Sequence, residues 1–266
     1  PPHAAPRLDR WAAMARSVDT FSETVTIALV GKYTGLQDAY LSVIKALKHA
    51  AVAVGRALKI AWIEAAKLEP AHATEHAAEH AAAWRALRAA DGVLVPGGFG
   101  ARGVEGKVLA AHHARTTRTP FLGICLGFQA CVIEYARNVL GWTGANSREF
   151  DEQTEHPVVV FMPEISTAAK GGTMRLGARR TLIAATLPDG TTASLAAELY
   201  GGRRAVRERH RHRYEVYPNY IEKLEAAGLF FTGRDERGTR MEMAELDRRA
   251  HPCYLATQFH PEFKSH

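Results

Sequence analysis

A cysteine that works as a nucleophile needs an exposed sulfur, a base to take its proton and a third group to orient that base. Three separated segments of this chain offer those parts. Cys125 lies in Gly123-Ile124-Cys125-Leu126-Gly127-Phe128-Gln129, between the apolar run Phe121 to Ile124 and a stretch with apolar residues at helical spacing. Glycines at i−2 and i+2 match a Gly-x-nucleophile-x-Gly elbow, where small neighbours let the backbone turn tightly from strand to helix. A helix start beside the sulfur also favours its thiolate form. The elbow alone leaves a buried core cysteine as an equal reading. What decides for a nucleophile is Gln258-Phe259-His260-Pro261-Glu262, where His260 supplies a base and Glu262 its orienting carboxylate across a proline that stiffens the turn. In Pro96-Gly97-Gly98-Phe99-Gly100, directly after the apolar run Val93 to Val95, glycines let a backbone N–H come close to a substrate, as an oxyanion hole requires. Cys131 and Cys253 have no elbow around them and read as core or near-core residues.

The elements expected to position these residues alternate through the first half. Strands are expected at Val25 to Val30, Lys59 to Ile63, Gly92 to Val95 and Phe121 to Ile124, and helices at Ala39 to Val54, Ala73 to Ala90, Val104 to Arg115 and Leu126 to Leu140. Such alternation means a parallel sheet covered by helices, with sites at the carboxyl ends of its strands. The second half is richer in strands: Val158 to Met162, Thr173 to Ile183, Tyr214 to Tyr217, Leu229 to Thr232, Arg240 to Glu245 and Tyr254 to Phe259. A helix from Asn219 to Ala227, capped by Gly228, interrupts them. The expected fold class is α/β, an open, mostly parallel sheet flanked by helices, with an additional antiparallel strand region in the second half. Residues 1–22, rich in proline at the start and amphipathic from Leu8 to Val18, read as a linker or docking segment, and residues 23–266 as one continuous domain.

At 266 residues and 47% hydrophobic, a globular chain can bury roughly 70 to 75% of its unfolded surface. The longest uncharged run, Thr119 to Ile133, has 15 residues, short of a membrane span. No signal-peptide pattern opens the chain, and three cysteines are too sparse and odd a set for a disulfide framework, which points to a reducing, cytoplasmic setting. A net charge of +6, with six arginines between Arg203 and Arg213, invites nucleic acid. Acidic tracts elsewhere, the lack of a recognised motif and the lack of aromatic interleaving argue against it, and guanidinium groups equally suit small carboxylates or phosphates. Gly98, Gly100 and Gly103 fit a dinucleotide-binding glycine pattern, but no acidic residue stands about 20 positions further on. His72, His76 and His80 fall at i, i+4, i+8 on the predicted 73–90 helix, with Glu75 and Glu79 nearby; three in a row along a helix do not easily reach one ion, so a solvent-facing helix without a metal is preferred.

The Pro-Gly-Gly, Gly-Ile-Cys-Leu-Gly and His-Pro-Glu segments together resemble the class I (triad) glutamine amidotransferases. Four further segments resemble one branch of that family: Val30-Gly31-Lys32-Tyr33 with Asp38 to Val43, Ala145 to Phe150, Gly171 to Gly177, and Arg211-His212-Arg213-Tyr214-Glu215. The resemblance spans about Val25 to Phe263, in the family's order, and implies a flavodoxin-like fold. It implies a Cys125, His260, Glu262 triad that hydrolyses L-glutamine, with the oxyanion between the N–H groups of Gly98 and Leu126. It further implies glutamine binding by Gly98, Leu126, Gly127, Phe128, Gln129, Glu149 and Arg213, Glu149 taking the ammonium and Arg213 the carboxylate. In that branch the ammonia passes to an ATP- and Mg2+-using synthetase domain that aminates UTP to CTP, the full enzyme forms homotetramers, and GTP activates the glutaminase step. Gly171, Gly172, Thr173, Met174 and Arg175 would belong to the GTP-responsive loop, with a glycine hinge leading into a strand as the less favoured alternative, and Ile165 to Lys170 departs from the branch's pattern. The glutaminase step needs no cofactor of its own. Nothing in the chain resembles the synthetase domain, and its ends, without Met and four residues after Glu262, are expected to be cut from a longer enzyme; the fragment itself is expected to be a monomer or weak dimer. Three alternatives stand beside this: the glutaminase component of another class I amidotransferase, a cysteine hydrolase of a different small amide, against which Glu149 and Arg213 speak, and a non-catalytic interaction module, against which the intact triad speaks.

Overall fold

The computed structural model describes residues 8–18, 20–162 and 174–265. Its first half alternates strand and helix: β1 (Thr24–Gly31), α2 (Leu41–Ala53) after α1 (Asp9–Val18), β2 (Ala57–Glu64), α3 (Pro70–Glu75), α4 (Ala77–Arg88), β3 (Gly92–Val95), α5 (Val104–Thr117), β4 (Phe121–Ile124) and α6 (Leu126–Asn138). The short strands β5 (Asn146–Ser147) and β6 (Pro157–Phe161) follow, then β7 (Arg175–Ile183), α7 (Leu195–Leu199), β8 (Ala205–His212), β9 (Tyr214–Val216), α8 (Ile221–Ala226), β10 (Leu229–Asp235), β11 (Met241–Leu246) and β12 (Tyr254–Thr257).

Nine strands form one sheet in the order β2-β1-β3-β4-β12-β11-β10-β7-β8. From β2 to β12 neighbours run parallel, and from β12 to β8 they run antiparallel. The parallel half buries both faces, so its strands are short apolar runs rather than alternating ones. Side chains leave a strand alternately up and down. Ala28, Val30, Val93 and Val95 therefore join one core with residues of α4, α5 and α6, while Leu29, Leu94 and Ile124 pack on the other face with Val43, Ile44 and Leu47 of α2. The second, smaller sheet is β5-β6-β9.

Three expectations need correction. The predicted helix from Ala73 to Ala90 is two helices, broken at His76 (φ −136°, ψ 53°). The one-face ladder of histidines is therefore interrupted: His72 and His76 face each other at 4.8 Å, and His80 accepts from Trp84 Nε1 at 3.1 Å. The arginine-rich run is strand β8, which pairs with β7 along its length, from Leu182↔Ala205 to Arg175↔His212. Its exposure alternates: Val206, Glu208, His210 and His212 are buried, and Arg207 and Arg211 are exposed. The expected helix from Asn219 starts as a single 3-10 turn and becomes α8 at Ile221. The 1–22 segment carries α1, which exposes Trp11 and Val18, and Leu8 just before it is exposed too.

Candidate active site

β3, β4 and β12 are neighbours in the sheet, with Val93↔Phe121 and Tyr254↔Phe121 in register. Their carboxyl ends lead into Pro96-Gly97-Gly98, Cys125 and His260 respectively, so residues 135 apart in sequence arrive at one edge. Cys125 stands between β4 and α6 at φ 54°, ψ −99°, a conformation L-residues rarely adopt and one that costs on the order of 1–3 kcal/mol. The elbow is held by contact. A Cβ on Gly127 would lie 2.0 Å from the Val95 carbonyl oxygen, and one on Gly123 would lie 2.6 Å from the Gly127 oxygen. Only glycines let α6 start this close to β3. The Cys125 N–H donates to Thr257 O at 2.7 Å, which ties the elbow to β12.

His260 follows β12, with Pro261 opening a 3-10 turn that carries Glu262. Nδ1 of His260 bonds Glu262 Oε1 at 2.9 Å, and both side chains are largely buried. The other edge of the ring faces Cys125. A Cβ on Gly97 would stand 2.9 Å from His260 Cε1 and 3.4 Å from Cys125 Cβ, so Gly97 fits the gap beside both. Burial works against the imidazolium, but hydrogen bonds and charge from Cys125 and Glu262 outweigh it and raise His260 to about 9. The ring thus carries its proton at neutral pH. Gln258 Nε2 donates to Cys125 Sγ at 3.7 Å, and its Oε1 accepts from Gln129 Nε2 at 3.3 Å.

In front of the sulfur is a cavity of about 140 Å³ lined by Gly98, Phe99, Cys125, Leu126, Gln129, Glu149, Phe161, Arg211, His212, Arg213 and Tyr214. The chain leaves the main sheet at His212 and enters the small sheet at Tyr214, and Arg213 is the crossing point. Arg213 Nε is buried with no partner among the described residues. Glu149, just past β5, is pushed up by burial, against the pull of the Gly100 N–H and of Lys32 and Arg213. The cavity therefore offers one carboxylate, Glu149, and two guanidinium groups, Arg211 and Arg213, beside a cysteine, a helix N-terminus and a buried imidazolium. That set suits an α-amino acid with a reactive side-chain carbonyl.

A family model, Glutamine amidotransferase class-I, matches residues 35–266. The chain belongs to that family. Its relatives within the family include CTP synthase from Dictyostelium discoideum, 52% identical over 260 residues (96% of this chain, 44% of the relative). Human CTP synthase 1 is 51% identical over 258 residues (97% and 42%). Among solved structures, the glutaminase domain of Trypanosoma brucei CTPS with bound acivicin superposes with a TM-score of 0.78 at 40% identity, over 90% of this chain and 87% of that one. The chain spans less than half the length of the CTP synthases it matches. No helix among the described residues is long and apolar enough to cross a membrane.

Of the residues singled out from sequence in this amidotransferase chain, Cys125, Gly98, Leu126, Gln129, Glu149 and Arg213 line the cavity, and His260 with Glu262 stands behind the cysteine. Gly127 is packed under Val95, and the Phe128 side chain is fully buried with its ring 6.4 Å from Phe231, so both belong to the core side of α6. Gly171, Gly172 and Thr173 lie outside the described residues. Met174 and Arg175 stand at the start of β7, where Arg175 Nη2 bonds Glu242 Oε1 at 2.7 Å. Phe99, Phe161, Arg211, His212, Tyr214 and Gln258 were not singled out as ligand contacts. The signal for two of them, Arg211 and His212, was the period-two alternation of residues 205–212, which turns the histidine of each Arg-His pair inward. His212 and His210 are held neutral by burial, at about 3 and about 2. Burial likewise pushes the Cys131 thiol up to about 12 and raises Cys253, which fits them for packing rather than attack.

Proposed function

We propose that residues 23–266 hydrolyse the side-chain amide of L-glutamine through Cys125, His260 and Glu262, and that the ammonia serves a synthetase domain that aminates UTP to CTP. The observation that carries this is the convergence of a strained elbow cysteine, a Glu262-bound His260 and an Arg213 whose buried Nε has no hydrogen-bond partner among the described residues on one small cavity.

Glutamine lies with its ammonium against Glu149 and its carboxylate against Arg213, as charge complementarity directs. Cys125 Sγ attacks the amide carbon, and the C=O electrons move onto oxygen, which accepts from the N–H groups of Gly98 and Leu126. His260, protonated at rest and aligned by Glu262, gives its proton to the nitrogen as the C–N bond breaks and ammonia leaves. A water then attacks the thioester, His260 takes its proton, and the C–S bond breaks to release glutamate. Gly127, Phe128 and Gln129 shape the start of α6 beneath the substrate. No cofactor enters these steps.

ATP and Mg2+ belong to the synthetase part of this proposal, as does assembly into a homotetramer, and the setting is cytoplasmic. GTP would act through the segment ending at Met174 and Arg175, where the Glu242-paired guanidinium ties that end to the sheet beside His210. That the chain's relatives are more than twice its length is the support for a separate synthetase domain.

The test is mass spectrometry after incubation with a diazo-ketone analogue of glutamine. We expect one adduct, on Cys125, suppressed by free glutamine but not by asparagine. No adduct, or labelling spread over Cys131 and Cys253, would sink the assignment.

A further inference from the structure

Lys107 has had no part in the chemistry so far. It sits in the first turns of α5 with no exposed surface at all. Lysines are almost never fully buried unless paired, yet among the described residues no carboxylate meets its Nζ. It donates instead to the Pro96 carbonyl oxygen at 3.0 Å. In a trans peptide the C=O and N–H point opposite ways, so the held carbonyl turns the Gly97 N–H away from Lys107 and fixes the start of the segment that presents Gly98. The ammonium is also close beneath that residue: Nζ is 3.4 Å from where a Cβ on Gly98 would stand. On the outer side Lys32 Nζ holds the carbonyls of Phe99 and Gly100, both at 2.5 Å. The loop between β3 and α5 is thus gripped by its carbonyls from two sides, with its cavity face left to substrate.

We propose that Lys107 is a positioning residue for glutamine hydrolysis, its buried ammonium fixing the backbone of residues 96–98 and placing positive charge behind the oxyanion. The proposal rests on the glutaminase reading above. The titratable groups that face Lys107 are Lys32 from the end of β1 and Cys125 from the elbow, with His260 beyond Gly97; Glu69 accepts from the neighbouring Gly106 N–H. Burial and the Lys32 charge lower Lys107 to about 7, against the pull of Cys125. Negative charge arriving at the site therefore strengthens the ammonium form when it is needed. The same burial has a cost in stability. Because the folded value lies below the ordinary 10.5, the penalty is full below about 7 and fades as pH rises toward 10.5.

Lys107→Met keeps length and apolar bulk while removing the charge. We expect kcat to fall at least about tenfold, and KM to stay within about threefold because Lys107 touches no substrate. The unsubstituted chain should show a bend in log kcat against pH that Lys107→Met lacks, and the Tm should rise at pH 6 with the gain shrinking toward pH 10. Lys107→Gln offers a donor without the charge and should stay as slow as the Met variant. An unchanged kcat in Lys107→Met, or full recovery in Lys107→Gln, would overturn the role of the charge. Absence of hydrolysis in the unsubstituted chain would overturn the glutaminase reading and this one together, so the two failures are told apart.

Discussion

The parallel and antiparallel halves of the sheet contribute to the site in different ways. β3, β4 and β12 bring backbone turns: an elbow whose Gly127 packs against Val95, a glycine loop gripped by lysines, and a His-Pro-Glu turn. The β8–β9 crossing with the small sheet brings charge instead: Arg213 at the crossing, Glu149 past β5, Phe161 at the end of β6. Chemistry is placed where the backbone is most constrained, and recognition is placed where two sheets meet and a change of side chain leaves the elbow undisturbed. If that division holds, variants of the two regions fail in different ways.

The largest effect is expected at the elbow. Cys125→Ala should lower glutamate release by about 10⁴-fold or more, since a nucleophile and its base act as one unit. Binding of glutamine, read by calorimetry, should survive. On the other side, Arg213→Met removes the partner of the substrate carboxylate, a charged hydrogen bond worth roughly 1.5–3 kcal/mol. KM should rise on the order of ten- to a hundredfold, while alkylation of Cys125 by small, uncharged iodoacetamide keeps its rate. Equal losses in both assays would mean that Arg213 supports the elbow and that the division between the halves is wrong.

The same contrast explains what could be read from the sequence. Cys125 and its glycines, Pro96 to Gly98, and His260 with Glu262 are legible because each obeys a local steric or spacing rule that needs no distant partner. The buried strands β1, β3 and β4 are legible as short apolar runs. β8 is hidden because its arginines read as a charge cluster, although its buried residues recur every second position. Its inward histidines are neutral and bonded to each other at 3.0 Å, with His212 Nδ1 also 3.0 Å from the Tyr214 carbonyl oxygen. Lys107 is hidden for a related reason: a lysine in an apparent amphipathic helix is assigned to solvent, and only the packing of α5 against the Pro96 loop shows it inside. The break at His76 and the short helix α7 have no strong local signal. α7 depends on the Ser194 hydroxyl, which accepts from the Ala197 N–H, and on Glu245 from β11, which accepts from the Leu195 and Ala196 N–H groups.

The smallest expected effect is on stability, and it is a test of how far Glu262 holds the proton on His260. His260 is raised from 6.5 to about 9, which is worth on the order of 3 kcal/mol to the fold. Because the folded value lies above the unfolded one, that contribution is complete below about 6.5 and is lost as pH climbs through 9. Cys125 and Glu262 both raise it, so Glu262→Gln should remove only part, about 1–2 kcal/mol. Thermal melts should show the variant below the unsubstituted chain at pH 6, with the gap closing by pH 10. A gap that is flat across this range would mean that Glu262 holds the turn by packing alone, and the orienting role would then pass from its charge to the rigidity that Pro261 gives the backbone.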